Sequence, residues 1–549
     1  MNNLAKFPCR FRALATGLFV FLAACTLAAC DETSEKLSWS PDGAKLAVLG
    51  ADGLHLASTD GNLSTSLIAP DVKQIIWSGP DSAYVLRKES FKSAQDVIDL
   101  AGPKKGPDLA ARSQKLLKDL ADCKGDMSKI NIDPESFTWL TYYLAFTNPV
   151  KLTEALGNKD GDKFFVSEAR KPAVAVISRF KFDNGRAVVA DTLLRRCENI
   201  DEMRLSPDGQ YLMYADWKHR LHLLATAGGA SAACASAACA SAACAADITV
   251  VDTPANAAEW YPDSRDVVYF SPCPSQKSVN KAVADFSELR RLTVRDSSGA
   301  VIPANAPALQ GAALEKEKRS DQTLAFVSTF DSAARILCLN DGSIVFSGGK
   351  LTLPAGLEDP AHQGLFLLRG NGPIVPLLTQ LECEQLRNFL YFAASPDNHL
   401  LVVQGSEGSV DVVNLKTNET ERLADNEHFD PSRKLLTYPA WRGNDQLTFE
   451  VVEKAPNPSS PSSPSSPSSP SSPSSPSSPS SPSSPSSPSS PSSPPSPPSP
   501  PNSVNRPNQQ NLPIEKKEPD RQVISWSLKN KSWRRLDASW PKTILRVSE

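Results

Sequence analysis

Six histidines in 549 residues leave little imidazole for acid–base or metal chemistry, and the familiar catalytic signatures are missing too. There is no GxSxG elbow for a serine nucleophile, no HExxH zinc helix, no GxxxxGK[ST] phosphate loop and no GxGxxG dinucleotide turn. Gly370-Asn371-Gly372-Pro373 reads as a turn between strands. None of the 11 cysteines falls in a paired CxxC, so their spacing offers no zinc site. Positive charge is not in excess: 58 Lys and Arg stand against 61 Asp and Glu, which excludes electrostatic recruitment of nucleic acid. His219 and His222 are three apart in what reads as an extended strand, where they point to opposite faces and make no ligand pair. Asn158 to Asp162 has the start of a calcium loop, but Lys163 stands where that loop needs Gly and Ala169 where it needs Glu. No metal, cofactor or catalytic residue is therefore expected, and the chain is not read as an enzyme.

What the chain has in abundance is one kind of turn. Seven times a short apolar segment enters an Asp-centred turn and leaves as another apolar segment: LSWSPDGAKLAVL (37–49), IIWSGPDSAYVL (75–86), MRLSPDGQYLMY (203–214), AEWYPDSRDVVYF (258–270), ILCLNDGSIVF (336–346), FAASPDNHLLVV (392–403) and PAWRGNDQLTFEVV (439–452). Alternation of period two with Gly and Asp punctuation is the signal of strands joined by hairpins. Asp42, Asp81, Asp208, Asp263, Asp341, Asp397 and Asp445 have a structural task at these turns, where a short carboxylate satisfies backbone donors. Trp39, Trp77, Trp260 and Trp441 precede the turns at corresponding positions, where a large flat ring packs between neighbouring units. A hairpin repeated at this spacing predicts an all-β, seven-bladed β-propeller over residues 37–549, with six or eight blades as alternatives. Seven blades at about 40–45 residues each need only roughly 300 residues. The surplus has to lie in insertions and termini.

Three segments hold most of it. Residues 89–172 break strand texture within blade 2: Leu109, Leu116, Leu117 and Leu120 recur at helical spacing, and 134–156 reads as two short helices parted at Asn148-Pro149. Residues 228–246 are a low-complexity loop containing three ASAAC units, with Cys234, Cys239 and Cys244 read as repeat expansion rather than a metal or redox site. Residues 453–520, mostly Pro-Ser-Ser units, bury no apolar surface and are expected to form a disordered insertion in blade 7. Trp540 to Val547 is a candidate latch for closing the ring.

The N-terminus places Lys6, Arg10 and Arg12 ahead of an apolar run, as in a secretory leader. Its end, Leu27-Ala28-Ala29-Cys30, resembles the bacterial lipobox. Leu22-Ala23-Ala24-Cys25 fits the same pattern, but the polar tether that starts at Asp31 favours Cys30. This resemblance implies a signal peptide over 1–29, a lipid on Cys30 (alternatively Cys25), a tether over 30–36 and a bacterial envelope address facing the periplasm or exterior. The inner or outer membrane is left open.

The SPDG hairpins at Ser40-Pro41-Asp42-Gly43, Ser206-Pro207-Asp208-Gly209 and Ser395-Pro396-Asp397 resemble the propeller of the TolB-type family and related WD40-like bacterial lipoproteins. No separate α/β domain precedes the first repeat, so the resemblance implies a general envelope binding or scaffold role rather than the TolB role itself. If the strands of each blade are named a to d, the Asp turns join a to b on one face and the b–c connections emerge on the other. The insertions of blades 2 and 7 both interrupt b–c connections. The sequence thus predicts a membrane-anchored, non-catalytic module that binds an unidentified envelope protein through its b–c face. The alternative is a propeller enzyme or small-ligand sensor using the central channel.

Overall fold

The computed structural model describes residues 36–50, 52–60, 62, 67–123, 130, 132–155, 173–183, 186–200, 202–226, 247–272, 286–304, 320–328, 335–350, 364–378, 389–405, 408–423, 434–453, 521–538 and 540. The expected leader, lipidation cysteines, ASAAC loop and Pro/Ser tract lie outside the described residues, as do Asn158–Asp162 and all of the expected latch but Trp540. The chain divides into two units; the second is Lys454–Asp520, and every strand and helix named below belongs to the first.

Short alternating segments become strands because each buries one row of side chains against a neighbouring blade. Blade 1 contains β1 (Leu37–Trp39), β2 (Lys45–Gly50) and β3 (Gly53–Ser58), and blade 2 contains β4 (Val72–Gly79), β5 (Ser82–Glu89), β6 (Val174–Asp183) and β7 (Arg186–Arg196). Blade 3 is β8 (Met203–Leu205), β9 (Tyr211–Ala215), β10 (Leu221–Ala225) and β11 (Asp247–Val251). Blade 4 is β12 (Asn256–Trp260), β13 (Asp266–Pro272), β14 (Phe286–Thr293) and β15 (Asp321–Ser328). Blade 5 is β16 (Ile336–Cys338), β17 (Ile344–Lys350), β18 (Gly364–Leu368) and β19 (Ile374–Pro376). Blade 6 is β20 (Phe389–Ala394), β21 (Leu400–Gly405), β22 (Val410–Asn414) and β23 (Thr420–Arg422), and blade 7 is β24 (Lys434–Arg442), β25 (Gln446–Glu453), β26 (Arg521–Ser527) and β27 (Ser532–Arg535). Every pairing within a blade is antiparallel between consecutive strands, which gives a seven-bladed β-propeller.

Most of the fourth strand that the pattern gives blade 1 over LSTSLI lies outside the described residues; beside it Leu54 donates to the Ala69 carbonyl and Ile68 donates back to Leu54. One detail departs from what the sequence pattern predicts. The pattern makes blades 4 and 5 separate sheets, yet β15 pairs with β17 at Val327–Lys350 and Ser328–Gly349, which fuses them into one sheet of eight strands. Polar residues at Asp321–Thr323 mask the strand character of β15 in the sequence, because its outer face is solvated.

The core is a ring of inter-blade seams. Leu54 and Ala47 of blade 1 meet Ile75 and Phe180 of blade 2; Tyr84 and Ile177 meet Leu212 and Leu224 of blade 3; Leu223 meets Trp260 of blade 4. Phe270 meets Phe346 of blade 5, Leu367 meets Val403 of blade 6, and Val412 meets Phe449 of blade 7. Leu37, Trp39 and Val48 of blade 1 bury against Ala440, Val523 and Leu536 of blade 7, with Trp540 in the same cluster. Closure is thus made by packing of the first blade on the last. Helical spacing in the blade 2 insertion becomes α1 (Ala94–Lys105, kinked at Gly102), α2 (Leu109–Asp122), α3 (Pro134–Thr147) and α4 (Pro149–Ala155). Their apolar faces form a separate core around Leu116, Leu120, Leu140 and Leu144 that rests on Val174 and Val176 of β6.

Candidate functional site

The seven Asp turns lie on one face of the ring. In three of them the Ser-Pro-Asp segment makes the same small lattice: Ser40 Oγ donates to Asp42 Oδ1 at 2.6 Å, the amide of Ala44 donates to the same oxygen, and the amide of Lys45 donates to Ser40 Oγ. Ser206 with Asp208, and Ser395 with Asp397, repeat it atom for atom. Asp263 accepts the amides of Arg265 and Asp266, and Asp341 accepts that of Ser343. Asp81 instead pairs with Lys45, and Asp445 accepts from Leu528 through its backbone carbonyl. Hydrogen bonds from Ser40 and the Ala44 amide hold the Asp42 carboxyl below its ordinary value. Slight burial raises Asp208 and Asp397, but bonds from Ser206 and Arg295, and from Ser395 and the His399 amide, outweigh it and leave both lowered.

These turns also reach the next blade. Arg442 of blade 7 donates to the Gly43 carbonyl, Lys45 of blade 1 pairs with Asp81 of blade 2, and Arg295 of blade 4 binds Asp208 at 2.6 Å. Tyr261 Oη of blade 4 donates to the Gly342 carbonyl of blade 5, and Asn444 of blade 7 accepts from the Asp397 amide of blade 6. The tryptophans act in the same sense. Trp77 Nε1 donates to Ser38 O, Trp260 Nε1 to Arg204 O and Trp441 Nε1 to Ala393 O, each on the preceding blade, while Trp39 Nε1 donates to Thr448 Oγ1 of blade 7 at 2.9 Å. The a–b face is therefore a belt of turn-to-turn contacts whose polar groups are used internally.

The opposite face has a different character. There the helical insertion fills the b–c connection of blade 2. The innermost strands are bulged: register slips between Val72 and Gln74 and between Trp77 and Gly79 at the two ends of β4, between Asn256 and Glu259 and between Phe389 and Tyr391 where β12 and β20 begin, and between Thr437 and Ala440 in the middle of β24. Ala257 (φ 50°) and Tyr438 (φ 55°) are left-handed within two of those bulges, a conformation that non-glycine residues adopt at a cost. Gln74 ties neighbouring innermost strands together, accepting from Met203 N at 2.7 Å and donating to Met203 O at 3.1 Å.

A cleft of about 180 Å³ opens on this face between blades 3 and 4. Its apolar walls are Met213, Ala215, Leu221, Ala255, Ala257 and Ala258; its polar lip is Glu202, Arg204, His219 and Asn256. Arg204 is committed to Glu202, to Glu259 at 3.0 Å and to the Met203 carbonyl, so the lip carries little uncompensated charge. Burial raises the Glu259 carboxyl despite Arg204. The rim is the b–c turn of blade 3. Asp216, fully buried, accepts the amides of Lys218 and Arg220 and binds the Arg220 guanidinium at 2.7 Å. The turn holds His219 in a left-handed conformation (φ 57°) and leaves Trp217 51% exposed beside Lys218. The sequence pattern puts His219 and His222 on one extended strand. Only His222 is on β10, and His219 is in the turn, displaced by the Asp216 lattice. Neither Trp217 nor the cleft is predicted by the sequence, where a lone Trp outside the repeat register is the one available sign. Among the described residues no group of three or more His, Cys, Asp or Glu could hold a metal ion.

No protein-family model and no curated protein matches this chain. Solved structures do. A provisionally assigned TolB from Agrobacterium tumefaciens aligns at 11% identity over 63% of this chain and 83% of its own, with a TM-score of 0.31. The Cps50 (Swd1) β-propeller domain of Myceliophteria thermophila aligns at 6% over 76% and 93%, with a TM-score of 0.36. A provisionally assigned 6-phosphogluconolactonase from Bacteroides fragilis aligns at 11% over 71% and 82%, with a TM-score of 0.33. These likenesses are of fold alone.

Proposed function

We propose that this protein is a lipid-anchored, non-catalytic propeller of the bacterial envelope that binds another protein through its b–c face. The observation that supports this most is the asymmetry between the two faces. One is laced by turn-to-turn contacts, whereas the other carries the helical insertion, the exposed Trp217 and the cleft beside it. An aromatic side chain held on a rigid turn is the usual anchor of a protein interface. Trp217 stands on the convex tip of its turn, with a shallow apolar cleft in the adjoining wall, and this pairing of knob and hollow suits a protein surface better than a small molecule, which takes a concave site. The lipid on Cys30 keeps the module at a membrane, and the near-neutral lip of the cleft selects an apolar side chain of the partner.

Affinity capture of the lipidated protein from solubilised envelopes, with and without Trp217→Ala, tests the reading. A stoichiometric protein should be recovered with the wild type and depleted at least tenfold by the substitution, which corresponds to about 1.4 kcal/mol or more. Equal recovery with both proteins, or a small molecule copurifying in the channel in place of a protein, would overturn it.

A further inference from the structure

The outermost strand of a propeller blade has an open hydrogen-bonding edge, and native proteins blunt such edges by keeping the strand short, charging it or covering it. Most blades here follow that practice. β19 and β23 are 3 residues long, β27 is 4 and carries Arg534 and Arg535, β11 is 5, and β15 is paired on β17. β7 of blade 2 does the reverse. It is 11 residues long and ends the order β4-β5-β6-β7, with no strand on its outer side among the described residues. From Arg186 to Thr192 none of its residues is buried. The middle of that stretch is apolar: Val188 is 62% exposed and Val189 45%, and among the described residues they are the one pair of exposed large apolar side chains that adjoin in sequence. Adjacent β-branched residues on an open edge are suited to accept another strand.

The charges around these valines identify the strand that fits. β7 is bulged: Phe180 of β6 pairs with Val189 but Arg179 pairs with Asp191, which leaves Ala190 as the extra residue. Side chains alternate along a strand, and residues opposite each other in a ladder share a face. Arg186, Val188 and Asp191 oppose Asp183, Lys181 and Arg179, so all three belong to one face, the same one on which Ile177 packs toward blade 3. Without the bulge, Asp191 would belong to the other face. Val188 thus has a cation two positions before it and, once the extra residue is discounted, an anion two positions after it.

When two identical strands pair antiparallel, the two-fold axis is normal to the sheet and passes between a residue and its own copy, and residues equally far from that centre oppose one another. Centred on Val188, the pairing sets Arg186 of each copy opposite Asp191 of the other and packs Val188 on Val188. The edge is complementary to itself. Asp191 already pairs with Arg179 of β6, but that pair is open to water, with side chains 45% and 29% exposed, and a carboxylate has acceptor sites for a second guanidinium. We propose that β7 is a homodimerisation edge, through which two copies of this chain join blade 2 to blade 2 by antiparallel pairing centred on Val188. A second bulge, at Leu193, ends the regular run, so the shared ladder is short. The edge is distinct from the b–c face and does not rest on the docking of another protein there.

Disulfide trapping reads the edge directly. A residue that faces its own copy across the axis has its Cα about 4.5–5.5 Å from its counterpart, within disulfide reach. In whole cells making the full-length protein with Val188→Cys, a membrane-permeant oxidant should give an adduct of twice the chain mass on non-reducing gels. It should stand roughly tenfold above the unsubstituted protein, whose own cysteines set the background. Ser532→Cys, on the exposed outer strand β27 of blade 7, should give only that background. Arg186→Asp or Asp191→Arg, added singly to Val188→Cys, sets like charges opposite each other at both contacts and should lower the adduct roughly fivefold. Coexpressed under different tags, these two variants meet with opposite charges at both contacts, and the adduct carrying both tags should return to the level of Val188→Cys alone. Such recovery excludes a folding defect in either variant. No adduct above background from Val188→Cys, an equal adduct from Ser532→Cys, or no recovery in the mixed pair would each overturn the edge. Any of these results leaves partner capture as it stands, and failure of capture leaves the trapping as it stands.

Discussion

At the scale of single residues, the turn aspartates hold their own turns, and Asp81 and Asp208 also take a cation from the neighbouring blade. Asp208 is bound by Ser206 from its own turn and by Arg295 from blade 4. Asp208→Asn should cost about 1–2 kcal/mol at neutral pH, measured by chemical denaturation. Because the folded carboxyl is lowered, its contribution is present above the unfolded value of about 4 and is lost as pH falls through the folded value, so the difference between variant and wild type should shrink as pH falls below that range. Gly342 has φ 82°, and a Cβ there would sit 2.4 Å from Tyr261 Oη. Gly342→Ala should therefore destabilise by about 2 kcal/mol or more, read as a lowered thermal midpoint, whereas Gly370→Ala meets no neighbour and should cost about 1 kcal/mol from its left-handed backbone alone. The local chemistry of these turns is legible in the sequence, because Ser-Pro-Asp places a hydroxyl and a carboxylate at fixed offsets. Their cross-blade bonds are not, since Arg295 is 87 residues from Asp208 and no local pattern announces it.

At the scale of elements, the insertion is a helical body with its own core, resting on β6. Leu144 is fully buried in that core, and Leu144→Ala should cost the insertion about 2–5 kcal/mol. Exchange protection should drop in Ala94–Asp122 and Pro134–Ala155 and be preserved in β9 and β21; uniform loss would mean that the insertion and the ring unfold as one unit. The helices are readable from the spacing of Leu109, Leu116, Leu117 and Leu120, all of which are buried. Strand β15 is not, because a solvated outer strand carries polar residues at the positions that would otherwise alternate. The buried charges of blade 3 are equally silent: Asp216, His222 and Asp247 come from a turn and two strands, and become one group only when β9, β10 and β11 pair.

At the scale of the whole molecule, the Asp turns orient the ring. They occupy the face where contacts run from blade to blade, and so set it apart from the face that carries the helical insertion. Closure through Trp39, Thr448 and Arg442 makes blade 1 and blade 7 neighbours although they lie at opposite ends of the chain. The proposed docking of a partner on the b–c face is tested in cells by photo-crosslinking, with benzoylphenylalanine placed singly at Trp217 and at Val150 on the b–c side, and at Gln210 and Gly443 in the a–b turns. A crosslinked adduct of one size is expected from the first pair and none from the second. Adducts confined to Gln210 and Gly443 would contradict docking on the b–c face.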